Sequence, residues 1–205
     1  MNTTQHLNVL TESVIRNLIG AYESVESYNT TTMNKASPYS VISWLQPILE
    51  QIVGRKLAYC SGNFYKHSIP YLPHTDYKSY QDNTLNLVIP LTYTGQQAHL
   101  VVFDQEWHQD SVTWCMHHPV LYFDTNTGVP GAPWQYPIHG VNNTDIDNSL
   151  YHTHLSHYSK FDLQGLSGTA YPFEPGSLIE FDNKKIHCTS NFIGEKTGLS
   201  LRFKQ

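Results

Sequence analysis

Three features of these 205 residues predict a mainly β fold with N-terminal helices, a helix-buttressed β-sandwich. Apolar residues recur at helical spacing up to Gly54, and after it the period shifts towards two. Aromatics reach 13%, with 14 tyrosines, while charged residues are only 14%, a balance that suits half-buried pleated strands better than a helical bundle. From Asp104 to Pro172 the chain is rich in Pro, Gly, Asn, His and aromatics without sustained periodicity, as expected of long functional loops with a few short strands.

The first helix is expected from Thr11 to Tyr28. Val14, Ile15, Leu18, Ile19 and Tyr22 fall on one face, and Thr11 has the side chain of an N-cap. Ser37 and Pro38 can open a second helix, lined by Val41, Ile42, Leu45, Ile48, Leu49 and Ile52 and ended by Gly54. Pro47 inside that run lacks an N–H and is expected to kink the helix or split it in two. Strands follow near Lys56–His67, Leu85–Thr92, His99–Phe103, Ser177–Asp182 and Gly198–Phe203. The expected organisation is one domain: residues 1–54 form a helical buttress and 55–205 a β core, with a loop-rich insert at about 104–172.

Twelve Lys and Arg against 17 Asp and Glu leave a formal charge of −5, so the chain as a whole does not attract phosphate backbones or anionic membranes. A nucleic-acid partner is thereby disfavoured without being excluded. The first residues, MNTTQHLNVL, carry no basic segment before an apolar one, and no stretch approaches the roughly 20 apolar residues of a membrane span. The expectation is a soluble cytoplasmic protein with no membrane association and no obligate protein partner. Cys60, Cys115 and Cys188 are odd in number and show no C-x-x-C spacing, which favours reduced structural thiols over a disulfide framework or a cysteine zinc site.

Two imidazoles and one carboxylate on one face of a metal leave positions open for a chelating co-substrate and oxygen, and His-x-Asp supplies two of those ligands from one strand end. With 12 His in 205 residues, chance alone gives about one half of a His-x-Asp occurrence. The chain has two. His74-Thr75-Asp76 lies between expected strands, whereas His108-Gln109-Asp110 sits in a polar stretch after a strand has ended. The first is preferred because a ligand pair needs a rigid strand end. A third ligand is expected from a late strand that closes the site. Pro175 to Asp182 reads as a turn and a strand, and His187 opens the next pairing segment.

From about Lys56 to its end the chain resembles the Fe(II)/2-oxoglutarate-dependent dioxygenases, including their prolyl-hydroxylase-like and AlkB-like branches. The resemblance implies a double-stranded β-helix core (jelly roll, cupin-like). It also implies metal ligands His74, Asp76 and His187, with Fe(II), 2-oxoglutarate and O2 as cofactor and co-substrates and ascorbate as a supporting reductant. The acidic ligand Asp76 is intact, which implies hydroxylation or a related oxidation rather than halogenation. The far carboxylate of 2-oxoglutarate requires a cation after the distal histidine, and Lys196 and Arg202 both follow it. Residues 196, 198, 200 and 202 share one face of a strand, so Ser200 stands between the two cations. This stretch is similar to the AlkB-like Arg-x-Asn-x-Thr-x-Arg, with Lys at its first position and Gly at its third. Lys196, nine residues after His187, matches the basic residue of prolyl-hydroxylase-like members and is preferred, with Arg202 the second choice or a neighbour of the metal-side carboxylate. Asn63 and Tyr65, with Tyr65 nine residues before His74, are similar to the AlkB-like Asn-x-Tyr pair.

Such an enzyme would hydroxylate a C–H of a small molecule or a peptide side chain, releasing succinate and CO2. Alternatives are oxidative demethylation of alkylated nucleobases and a non-catalytic, cupin-like metal- or ligand-binding protein. Trp107, Trp114, Trp134, Tyr136, Tyr151, Tyr158 and Tyr171 could wall a pocket or pack the outer sheet. His152, His154 and His157 lack the Cys or acidic partners of a second metal site and read as a polar histidine-rich loop.

Overall fold

The computed structural model describes residues 2–25, 35–37, 39–71, 73–76, 84–106, 122–123, 130–131, 146–163 and 165–204. The second His-x-Asp (His108 to Asp110), Cys115, Trp107, Trp114, Trp134 and Tyr136 lie outside them.

In chain order the elements begin with strand β1 (Thr4–His6), helix α1 (Glu12–Ser24), strand β2 (Lys35–Ala36) and helix α2 (Tyr39–Val53). Strands β3 (Ala58–His67), β4 (Thr84–Tyr93), β5 (His99–Glu106), β6 (Tyr122–Phe123) and β7 (Pro130–Gly131) follow. After the helical turn α3 (Asn148–Leu150) come strands β8 (Gly168–Pro172), β9 (Leu178–Asp182), β10 (Lys185–Thr189) and β11 (Lys196–Lys204). A six-stranded sheet ordered β1-β9-β4-β11-β3-β2 faces a three-stranded sheet ordered β10-β5-β8, and every pairing is antiparallel. The chain is thus mainly β with N-terminal helices and a jelly-roll core.

Alternation along each strand assigns the layers. On β4, Leu85, Leu87, Ile89 and Leu91 join Phe64 of β3 and Leu199, Leu201 and Phe203 of β11 in a core shared with Leu18, Ile42, Leu45 and Leu49 of the two helices. The opposite face of this sheet meets the small sheet through Val88, Leu100, Val102, Phe173, Ile179 and Phe181. A third cluster covers the far side of the small sheet, where Val101, Phe103, Ile186 and Cys188 pack against Ile146, Leu150, Leu155 and Leu163. The side chains left facing inward between the sheets are those of the candidate site.

Thr11 caps α1 as expected, its hydroxyl accepting from the Val14 amide. α2 runs unbroken through Pro47, so the expected split does not occur. Pro47 lies on the exposed face, where its ring meets solvent, and the apolar side of the helix is held by buried Leu45 and Leu49. The insert holds more helix than its sequence suggests. Asp147 caps α3 through the Leu150 amide, a π turn spans Tyr151–Leu155, and a 3-10 turn spans Lys160–Leu163. Its buried residues Leu150 and Leu155 are five apart, the spacing of a π turn, which a search at 3.6 residues per turn passes over.

Candidate metal centre

His187 lies on the inward face of β10, and a register shift against β5 between Lys185 and His187 marks a bulge just before it. Bulges re-aim side chains beside functional sites. His74 is not on a strand end as expected. It lies seven residues beyond β3 and is held by a single antiparallel bridge to His187. The two residues exchange both backbone bonds, His74 N to His187 O at 2.9 Å and His187 N to His74 O at 2.8 Å. Rigidity comes from pairing the two histidines with each other. Their rings lie 4.1 Å apart.

Asp76 completes a group whose ligand atoms all lie within 4.8 Å of one another, and among the described residues no other three His, Cys, Asp or Glu side chains do so. Asp76 Oδ2 is 3.5 Å from His187 Nε2 and accepts from Asn86 Nδ2 at 2.9 Å. Its other oxygen accepts from Arg202 at 2.6 Å. Burial alone would raise the Asp76 pKa, but Arg202 and the two imidazoles outweigh it and hold the carboxyl well below its usual range. Burial, reinforced by His74, pushes His187 down to about 3. His187 Nδ1 is 3.1 Å from the Lys185 carbonyl, which places the ring proton there and leaves the Nε2 lone pair towards Asp76. A neutral imidazole beside an ionised carboxylate is the protonation state that a divalent cation requires.

The cluster opens on a cavity of about 180 Å³. Asn63, Tyr65, His67, Tyr71, Lys196, Ser200 and Arg202 line it with the three clustered side chains, so every residue named from sequence as a metal or co-substrate contact meets here. Lys196 is 2% exposed; its Nζ donates to Thr189 Oγ1 at 2.8 Å and lies 4.8 Å from the Phe173 ring centre. Burial lowers its pKa to about 7. None of the described carboxylates pairs with it, whereas Arg202 is engaged by Asp76. Gly198, where the AlkB-like stretch has Asn, is required by Tyr65 opposite it: a Cβ there would come 2.5 Å from the tyrosine hydroxyl.

Sequence reasoning missed Asn86, His67, Tyr71 and Thr189. Asn86, Thr189 and His67 carried a signal in their alternation, whereas Tyr71 follows β3 outside any strand. Asn86 is the one amide in the apolar run from Leu85 to Leu91, and it is fully buried. Thr189 lies two residues after His187, and His67 two after Tyr65, each on the inward face of its strand. Tyr151 and Tyr158 pack against the outer cluster, and the Tyr158 hydroxyl also donates to the Tyr71 carbonyl at 2.9 Å. The rings of His154 and His99 lie 4.4 Å apart, away from the metal cluster. Cys60 and Cys188 are free thiols. Among the described residues no helix is long and apolar enough to cross a membrane.

No protein-family model matches the sequence, and no curated protein matches it. Solved structures do match. The chain is similar to SnoN, a non-haem alpha ketoglutarate-dependent epimerase from nogalamycin biosynthesis, at TM-score 0.56 and 8% identity over 99% of this chain and 77% of that one. It is similar to SnoK, a carbocyclase from the same biosynthesis, at TM-score 0.54 and 12% identity over 98% and 78%. HygX from Streptomyces hygroscopicus aligns at TM-score 0.52 and 9% identity over 98% and 82%. Over nearly its whole length, the chain has the fold of the non-haem 2-oxoglutarate-dependent oxygenases.

Proposed function

We propose that the chain is an Fe(II)- and 2-oxoglutarate-dependent oxygenase that hydroxylates a C–H of a small molecule or peptide side chain, releasing succinate and CO2. The observation that carries this reading is one cavity holding both a His, Asp, His cluster and a buried lysine with no carboxylate partner among the described residues. Two imidazoles and a carboxylate with room beside them suit non-haem iron. A buried ammonium facing a cavity calls for an anion. The fold supports the same chemistry: SnoN has been solved with Fe3+, alpha ketoglutarate and nogalamycin RO, and HygX with nickel, 2-oxoglutarate and hygromycin B.

His74, Asp76 and His187 would hold the iron. Lys196, supported by Thr189, would take the far carboxylate of 2-oxoglutarate, and Asn63, Tyr65 and Ser200 would line the wall between. Bound there, iron with 2-oxoglutarate and O2 would supply the oxidation of a C–H, and ascorbate would serve as the supporting reductant. The chain's own part is to fix the ligands, exclude water and place the substrate. Arg202 and Asn86 hold the two oxygens of Asp76, while Val88, Leu100 and Tyr71 supply apolar wall.

Anaerobic addition of Fe(II) and 2-oxoglutarate is expected to give a weak visible charge-transfer band, and admission of air to give succinate. Asp76→Ala should abolish both. Mass-spectrometric profiling of small molecules and peptides for a gain of one oxygen then identifies the substrate. A chain that shows neither band nor succinate is not such an oxygenase.

A further inference from the structure

Two histidines of this cavity have opposite ring chemistry. In His187 the Lys185 carbonyl holds the proton on Nδ1. In His67 the Nδ1 is buried with no hydrogen-bond partner among the described residues. An orphaned buried N–H is rarer in proteins than an under-used acceptor, so the His67 proton belongs on Nε2, the nitrogen left for the cavity that this residue lines. Burial, together with the charge of Lys196, pushes His67 down to about 4, so the ring is neutral around neutral pH.

Packing does not explain the imidazole. The ring stacks on Tyr71 at 5.3 Å and 11° and lies 4.9 Å from the Tyr65 ring, contacts that a phenylalanine would make equally well. A polar edge has been placed in an aromatic stack without a hydrogen-bond partner among the described residues. In the β3–β11 register His67 stands directly opposite Lys196, and both line the cavity. Side chains so placed are near neighbours. A carboxylate bound by Lys196 has lone pairs to spare, and a neutral N–H can fill one without setting a second cation against the ammonium.

We propose that His67 is a second donor to the carboxylate taken by Lys196, its Nε2–H bonding one oxygen of the far carboxylate of 2-oxoglutarate. This rests on the function proposed above. It makes His67 a residue that selects a dicarboxylic co-substrate over a monocarboxylic one.

The test compares anaerobic binding of 2-oxoglutarate and of 2-oxopentanoate, which keeps the 2-oxo acid head and chain length but lacks the far carboxylate. Both are titrated calorimetrically into Mn(II)-loaded wild type, His67→Phe and His67→Gln, after Mn(II) affinity has shown the metal cluster intact in each. His67→Phe is expected to weaken 2-oxoglutarate roughly tenfold or more while changing 2-oxopentanoate by less than about twofold, as loss of one hydrogen bond to a charged group predicts. His67→Gln, which restores a donor, should recover part of the loss. Unchanged 2-oxoglutarate binding in His67→Phe, or equal weakening of both acids, overturns the inference and leaves the oxygenase reading standing. Wild type that binds Mn(II) but not 2-oxoglutarate overturns both.

Discussion

Asp76 is gripped from two sides, by Arg202 on one oxygen and Asn86 on the other, so its orientation does not depend on a metal being bound. Groups that orient a ligand in this way typically contribute 10–100-fold to metal affinity. Arg202→Met is therefore expected to weaken Mn(II) binding roughly 10- to 100-fold, measured by titration followed by electron paramagnetic resonance. Lys196 acts in the opposite direction on stability. Its folded pKa of about 7 is below the ordinary lysine value of 10.5, so between these values the unfolded chain binds more protons than the folded one. The cost of burying the charge is full below about pH 7 and disappears as pH rises towards 10.5. Lys196→Met should raise the Tm of the metal-free chain most at neutral and lower pH, and abolish 2-oxoglutarate binding. A Tm gain that does not shrink at alkaline pH would show that desolvation is not its cause. At this scale His74, Asp76, His187 and Lys196 were legible because their chemistry is rare and their order is informative. Asn86, His67 and Thr189 were not, because an ordinary polar residue gains meaning only once register shows what it faces.

Among the described residues, the Tyr158 hydroxyl links the insert to the backbone around the metal cluster. Tyr158 donates to the Tyr71 carbonyl, which also accepts from the Thr189 amide, and so it ties the segment leading to His74 onto the strand carrying His187. Tyr158→Phe should cost about 1 kcal/mol of stability, as one lost hydrogen bond does. It should also speed hydrogen exchange at the His74 and His187 amides, read by NMR. Exchange unchanged at both would show that the bridge holds without the insert. Pro47 gives a separate test. Because α2 stays whole with its proline on the exposed face, Pro47→Ala restores a helical N–H at no cost in packing. A gain of about 1–2 kcal/mol is expected after allowing for the freer unfolded chain. For a chain of this size that is a Tm rise of roughly 2–4 °C per kcal/mol, measured by calorimetry. The helices and long strands were legible from period alone. The turns around Leu150 and Leu155 were not, because they follow neither helical nor strand spacing, and β1 is too short to show any period.

Across the whole molecule, the pairing order sets a constraint that no single element carries. β11, which follows the metal cluster in sequence, lies in the interior of the six-stranded sheet between β4 and β3, and its inward face supplies Lys196, Ser200 and Arg202 to the cavity. A chain ending at Glu195 should therefore show no cooperative thermal transition and no Mn(II) binding, checked by circular dichroism and metal titration, although all three metal-cluster residues remain in it. This ordering was hidden from sequence, since alternation says which residues share a face but not which strands are neighbours. It also sets a schedule for synthesis. A ribosome that has released residues up to Glu195 has delivered every residue of the metal cluster, yet the sheet is still parted between β3 and β4. On the function proposed above, iron could be held only once β11 has slotted in between β3 and β4, and a product interrupted before it would lack the centre.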